Sequence, residues 1–440
     1  MAPERRAAYE VLRRVFEHGA WADRALPTAA ERHDLDPRQR AAATRLTFGA
    51  VQRRATLDWL AEELTGHPAG RLDAPVIAAL RLGLFELGFS ERGGDHAAVN
   101  AAVELAKGGM SRGGGKRARG AAGLVNAVLR RAAREAPDLI AGLADAGPAE
   151  AAIAHSFPGW LTELWWRELG PDSARALIRA LNEPAETAMR ASSLRTSAAT
   201  LRGELEGAGE PLRAWAQGDP PEALVWDGRL GEAALAALAD GRMLAQSRAS
   251  QSVALALSPV PGERVLDLCA GPGVKTTHLV ALMAADGEVV AVERDAGRAA
   301  QISELCERVG ASGVEVRVAD AGEEQPADAE SYDRVLVDPP CSDLGTLASR
   351  PDARWRKDPD LIARVAREQR RILAAGIAAV RPGGALVYST CTISRTENEE
   401  VVDAALALHP ELSEVQRRSF RPDTDGTDGF FISLLRKRTE

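Results

Sequence analysis

The 440-residue chain carries a formal net charge of −8, with 45% hydrophobic and 27% charged residues. That is the composition of an ordinary globular protein, and it excludes collagen-like and low-complexity classes. The length exceeds one ordinary hydrophobic core, so two or three domains are expected. Its apolar stretches are too short to cross a bilayer, and Met1–Arg6 leads into an amphipathic pattern without a secretory signal. A cytoplasmic monomer with no membrane partner is expected.

The net charge hides an asymmetry. Residues 1–140 hold 22 Lys+Arg against 17 Asp+Glu, a net of +5, which leaves −13 for the remainder. A basic front on an acidic chain points to a polyanionic partner. Cysteine stands at 269, 306, 341 and 391. None forms a CxxC pair, and no histidine follows at zinc-ligand spacing, so no metal is expected and any cysteine function is thiol chemistry.

Along the chain, Ala8, Val11, Leu12, Val15 and Phe16 recur on one face of a helix over residues 4–18. Further helical stripes occupy 37–53, 55–64, 73–89, 96–107 and 121–134, so residues 1–140 read as an all-α domain. The stretch 109–120, with Arg112, Lys116, Arg117 and Arg119 among glycines, reads as a loop able to grip phosphates, or as a solvated connection. Residues 141–245 read as a linker and small mixed α/β subdomain, with strands near 187–194 and 221–226. Trp160, Trp165 and Trp166 there suit packing better than base stacking.

Residues 246–440 alternate strands and helices. Strands are expected at 264–268, 288–292, 314–318, 334–337, 385–389 and 430–435, with helices near 295–309 and 359–380. The pattern predicts a doubly wound, Rossmann-like α/β domain with its ligand at the strand C-termini. After the first strand come Cys269, Ala270, Gly271, Pro272, Gly273, Val274 and Lys275, small residues that admit a ligand close to the backbone. The order is neither GxxxxGK[ST] nor GxGxxG. Glu293 ends the second strand, where a carboxylate accepts ribose hydroxyls, and Asp320 follows the third, where an acid binds an adenine amine. Together these features favour an adenosyl ligand.

The fourth and fifth strands end in Asp338-Pro339-Pro340-Cys341-Ser342 and Tyr388-Ser389-Thr390-Cys391-Thr392. Adjacent parallel strands would bring both cysteines beside that ligand, and either could be a nucleophile. Such a thiolate suits methylation of a pyrimidine C5, which is too weak a carbon nucleophile unaided. Addition of sulfur at C6 makes C5 an enamine carbon. Asp338 could then hydrogen-bond the pyrimidine edge and support protonation at N3, with Lys275 orienting it.

At these residues the chain resembles the RsmB/NOP family of RNA cytosine-C5 methyltransferases, above all its bacterial ribosomal-RNA (RsmB/Sun-type) branch. The family's DxCAAPGGKT appears as DLCAGPGVKT at 267–276, with Gly271 for alanine and Val274 for glycine. DPPCS at 338–342, RPDARW at 350–355, STC at 389–391, ENEE at 397–400 and DGFF at 428–431 also match, whereas Asp343 stands where the family usually has glycine. The resemblance implies S-adenosyl-L-methionine as cofactor, held by residues 269–275, Glu293, Asp320 and Asp338. It also implies Cys391 as nucleophile and Cys341 in product release. In DNA cytosine methyltransferases the cysteine after the Pro-Cys element attacks instead, which makes Cys341 the rival.

The strings LRLGLFELGF at 80–89, HAAVNAAVELAK at 96–107 and GLVNAVLRR at 123–131 resemble the NusB-like helical domain of the ribosomal-RNA members. Asn182-Glu183-Pro184 fits the family's NxP element, while Ser192-Ser193-Leu194 and Gln246-Ser247 depart from it. Small-subunit ribosomal RNA is therefore the expected partner. A transfer-RNA or multisite enzyme and a catalytically silent RNA-binding assembly factor are the alternatives.

Overall fold

Short side chains on a helical period dominate the first third of the chain, and they let helices pack closely. The computed structural model describes residues 2–90, 94–110, 115–323 and 328–439. The chain divides into two compact units, one of Met1–Asn182 with Arg350–Arg356, the other of Glu183–Ser349 with Lys357–Glu440.

The first unit is helical: α1 (Pro3–His18), α2 (Ala22–Arg32), α3 (Pro37–Gln52), α4 (Arg54–Thr65), α5 (Ala74–Phe89), α6 (Asp95–Gly109), α7 (Gly115–Ala141), α8 (Pro148–Ala154), α9 (Gly159–Leu169) and α10 (Pro171–Ala180). Proline opens α1 and α3, where its missing N–H costs nothing, and Asp36 with Gln39 forms a capping box on α3. Helix α5 is buried continuously from Val76 to Phe85, as a helix apolar on all sides must be. It packs on α1, α6 and α7. A Cβ at Gly83 would lie 2.5 Å from Leu129 Cδ1, so α5 and α7 touch only because residue 83 has no side chain.

Two expectations are corrected here. Lys116, Arg117 and Arg119 stand on the first turns of α7 rather than on a loop, because Ala118 and Ala121 are buried and extend the helical stripe backwards. Arg112 lies outside the described residues. Helix α2 was not anticipated; Pro27 lies inside it and obscures its pattern. Trp165 is fully buried, edge-on to Phe157 at 5.7 Å, which makes it a core residue.

The RPDARW element belongs to this unit. Fully buried Arg354 donates to the Ser156 carbonyl at 3.1 Å, the Leu181 carbonyl at 3.3 Å and Asn182 Oδ1 at 2.9 Å, and its guanidinium lies 3.9 Å over the Phe157 ring. Trp355 Nε1 donates to the Val51 carbonyl at 2.8 Å, and Asp352 accepts the Ala22 N–H at 2.9 Å. Two of the family-like elements, Asn182 and Arg354, thus meet each other.

The second unit holds two sheets. The smaller is antiparallel, in the order β2–β1–β3, from β1 (Thr187–Ala191), β2 (Ala223–Trp226) and β3 (Met243–Ala245), with α11 (Ala198–Gly207) and α12 (Glu232–Ala239) completing its core. Then follow α13 (Arg248–Leu257), β4 (Arg264–Asp267), α14 (Val274–Leu282), β5 (Glu288–Glu293), α15 (Ala296–Val309), β6 (Val314–Val318), β7 (Tyr332–Val337), α16 (Pro359–Ala379), β8 (Val380–Thr390), α17 (Glu399–Leu408), β9 (Leu412–Phe420), α18 (Pro422–Asp425) and β10 (Phe430–Lys437).

The large sheet has the order β6–β5–β4–β7–β8–β10–β9, with β10 antiparallel to both neighbours and the first five strands parallel. Residues alternate between its two faces. Leu266, Val335 and Val337 join a core with α16 and α17, while Val265 and Leu336 join one with α13 and α14. From β4 the chain winds outward to β6 and returns to β7 on the other side. That reversal opens a crevice at the C-terminal ends of β4 and β7. Among the described residues no helix is long and apolar enough to cross a membrane.

Candidate active site

The loop after β4 depends on its glycines. Gly273 has φ +100°, a left-handed conformation, and a Cβ there would lie 3.2 Å from Ile302 Cα. A Cβ at Gly271 would lie 2.2 Å from Glu293 Oε2. Here the residue that departs from the family's alanine is the one that lets Glu293 approach. Glu293 accepts the Gly271 N–H at 3.1 Å and the Asp295 N–H at 2.9 Å, while Arg298 pairs with it at 3.6 Å. Val274 opens α14 with ordinary helical backbone, which a β-branched residue tolerates. Asp320 lies just beyond β6 and accepts the Gly322 N–H at 2.8 Å. Adjacent β5 and β6 therefore place Glu293 and Asp320 on one side of the glycine loop.

Asp267 ends β4 and is buried. One carboxylate oxygen accepts Thr276 Oγ1 at 2.8 Å, and among the described residues Oδ1 has no hydrogen-bond partner. Burial pushes its carboxyl up to about 7 despite that hydrogen bond. Cys269 follows, and burial raises its thiol well above the ordinary range. Lys275, in the first turn of α14, reaches Asp338 Oδ2 at 2.6 Å, and Ser389 Oγ donates to Asp338 Oδ1 at 2.8 Å. Burial lowers the Lys275 ammonium, but Asp338 outweighs it, so the group stays charged. This pairing joins the ends of β4, β7 and β8.

Parallel pairing of β7 with β8 sets the two cysteines side by side, Sγ to Sγ at 3.4 Å. Both are half-buried. Cys391 Sγ lies 3.3 Å and Cys341 Sγ 3.6 Å from Asp343 Oδ1, while Lys357 Nζ holds Asp343 Oδ2 at 3.1 Å. The hydrogen bond to Cys391 keeps the proton on Cys341, and burial raises that thiol further. The same bond lowers Cys391, although burial with Asp343 and Asp338 leaves the net shift upward.

Residues without a role in the sequence reading hold this pair. Fully buried Glu397 accepts the Ser342 N–H at 2.8 Å and Gln369 Nε2 at 3.1 Å, and its other oxygen takes the Ser342 hydroxyl. Tyr388 Oη donates to the Glu397 carbonyl at 2.6 Å. Gly345 and Gly429 lie back to back, with the Gly429 N–H on the Gly345 carbonyl at 2.9 Å, which explains the glycine of DGFF. The signal for Glu397 was its place in ENEE; its geometry was not readable.

The fold and the site define a Rossmann-like α/β enzyme domain with paired thiols at its strand ends, in one chain with a helical unit. The family model described as 16S rRNA methyltransferase RsmB/F matches residues 254–436, and the NusB family model matches residues 2–134. Ribosomal RNA small subunit methyltransferase B of Thermus thermophilus is 35% identical over 436 residues, covering 96% of this chain and 94% of that protein. The Vibrio cholerae protein of the same name is 32% identical over 443 residues, covering 99% of this chain and 97% of that one. The crystal structure of PH0851 superposes with a TM-score of 0.82 at 26% identity, covering 99% of each chain. A methyltransferase homologue from Pyrococcus horikoshii covers 66% of this chain and 98% of its own, with a TM-score of 0.59 at 25% identity. The chain belongs to the 16S rRNA methyltransferase RsmB/F family, and it is a methyltransferase.

Proposed function

We propose that the chain transfers a methyl group from S-adenosyl-L-methionine to C5 of a cytosine in small-subunit ribosomal RNA, through a covalent bond between Cys391 and C6. The carrying observation is the pair of sulfurs 3.4 Å apart at the ends of β7 and β8, one strand from a glycine loop. The residues present fit the cofactor. Gly271 and Gly273 let the loop close onto Glu293 and α15, where a Cβ would clash, and among the described residues the buried Asp267 Oδ1 beside that loop has no hydrogen-bond partner. Residues 269–275 with Glu293, Asp320 and Asp338 would hold it. When bound, it supplies a methyl group on a cationic sulfonium.

The protein's own residues divide the remaining work. Cys391 adds to C6 as the thiolate, which turns C5 into an enamine carbon. Asp338 hydrogen-bonds the pyrimidine edge and supports protonation at N3, while Lys275 and Ser389 orient it. After methylation, Cys341 assists loss of the C5 proton and release of Cys391. Exposed Lys116, Arg117 and Arg119 on α7 contribute to RNA binding through phosphates.

The test compares wild type, Cys391→Ala and Cys341→Ala for labelled methyl transfer to unmodified small-subunit RNA, with protein–RNA adducts scored on the same samples. The reading expects an inactive, adduct-free Cys391→Ala and an adduct-accumulating Cys341→Ala. Loss of adducts in Cys341→Ala alone reverses the two roles.

A further inference from the structure

The two thiols and Asp343 also satisfy a demand unrelated to methyl transfer. Cys341 Sγ, Cys391 Sγ and Asp343 Oδ1 form a triangle with sides of 3.4, 3.3 and 3.6 Å. Their donor atoms all lie within 4.8 Å of one another, and they come from two separate loops. A tetrahedral zinc ion, with bonds of about 2.3 Å to sulfur and about 2.0 Å to oxygen, sets its ligand atoms about 3.8 Å (S to S) and about 3.5 Å (S to O) apart. The observed triangle needs only a few tenths of an ångström of adjustment to match.

The donor chemistry narrows the cation. Two thiolates disfavour magnesium and calcium, which take oxygen ligands, whereas zinc accepts sulfur and carboxylate together. Three protein ligands leave a fourth position open, as in zinc sites that are not structural. Lys357 engages the far oxygen of Asp343 and turns Oδ1 toward the sulfurs, the kind of support that orients a ligating carboxylate. Asp343 has φ +55°, a left-handed backbone that glycine adopts without strain. A glycine there would relieve the backbone and remove the third donor.

We infer that Cys341, Cys391 and Asp343 form a binding site for a zinc-type divalent cation, and that its occupancy silences methyl transfer by capping the nucleophile. The silencing rests on the reading of Cys391 given above; the metal site does not. On binding, two S–H bonds break, two metal–sulfur bonds form, two protons go to solvent, and the carboxylate displaces a water. No atom changes oxidation state.

The experiment uses the full chain stripped with a chelator. Co2+ is titrated as the spectroscopic probe, then displaced by Zn2+, in wild type, Asp343→Gly and Cys391→Ala. Wild type is expected to bind one Co2+ with thiolate-to-cobalt charge-transfer absorption, and Cys391→Ala to lose most of that absorption. Asp343→Gly is expected to bind at least about tenfold more weakly, and whatever methyl transfer it shows in chelator is expected to resist inhibition by Zn2+ that abolishes transfer by wild type. Equal metal affinity in wild type and Asp343→Gly overturns the site, as does absence of saturable binding to wild type. An Asp343-dependent cobalt spectrum in a protein that never transfers methyl upholds the metal site and sinks the methyl-transfer reading.

Discussion

Glu397 accepts both the backbone N–H and the hydroxyl of Ser342, and so ties the loop that carries Cys341 to the loop that follows Cys391. Its side chain is fully buried and also receives Gln369. Removing it leaves the Ser342 N–H without its acceptor in a dry place, while Ser342 Oγ keeps only Thr392 and Gln369 Nε2 only the Pro340 carbonyl. Glu397→Ala is expected to destabilise the protein by about 2–4 kcal/mol. It should also slow methyl transfer at least about tenfold at saturating cofactor, since the sulfurs lose their common anchor. Denaturant unfolding and single-turnover transfer read the two effects. A variant that melts lower but transfers at the wild-type rate would show that Glu397 stabilises without positioning.

The Cys341–Cys391 hydrogen bond is expected to govern thiol reactivity. Cys391 sits above the ordinary thiol range, so its alkylation by iodoacetamide should still accelerate with pH where a free thiol has reached its plateau. Because the bond from Cys341 lowers Cys391, Cys341→Ala is expected to raise the Cys391 thiol and slow its alkylation several-fold at any fixed pH below that plateau. Peptide mapping by mass spectrometry separates Cys391 from Cys269 and Cys306. Faster alkylation in the variant would mean that Cys341 acts as a shield rather than a hydrogen-bond donor.

Buried Asp267 links stability to pH with a definite sign. Its carboxyl is pushed up to about 7, against about 3.9 in an unfolded chain. The native state therefore holds a proton that the unfolded state has lost between those values. The stability from this group is present below about pH 4 and falls as pH rises to about 7, by a few kcal/mol at most. Asp267→Asn stays neutral throughout, so the unfolding free energy of the variant relative to wild type should rise between pH 5 and pH 8. A gap that does not change with pH means that Asp267 ionises as it would in water.

The cations of α7 oppose its macrodipole. Lys116, Arg117 and Arg119 stand at the positive end of the helix, where they do nothing for its stability; Arg117 makes an exposed pair with Asp73 at 3.5 Å. Changing all three to alanine is expected to leave the melting temperature unchanged or slightly higher. RNA affinity should fall, and the slope of log affinity against log salt should flatten by about two. An unchanged slope would mean that these side chains touch no phosphate.

How much of this was legible depended on burial. Strands β4, β5, β7 and β8 are covered on both faces, so they stood out as short apolar runs, and the expected Rossmann-like alternation follows from them. Strand β9 escaped because it is an edge strand with Glu414, Gln416, Arg417 and Arg418 along it, and β3 because it has three residues. The start of α7 was misread because glycine signals a loop locally, whereas buried Ala118 and Ala121 keep it helical.

Short segments of the chain carry the chemical inventory: a glycine loop, acids at strand ends, and two cysteines in proline- and threonine-flanked turns. Those are properties of short segments, set by local sterics and by which side chains are present. Long-range packing sets the sulfurs 3.4 Å apart, turns Asp343 toward both, anchors them through Glu397, and brings Arg354 to Asn182 in the helical unit. Such distances join residues 50 or more positions apart in several of these pairs. They follow from the register of β7 on β8 and from close packing, which no local pattern encodes.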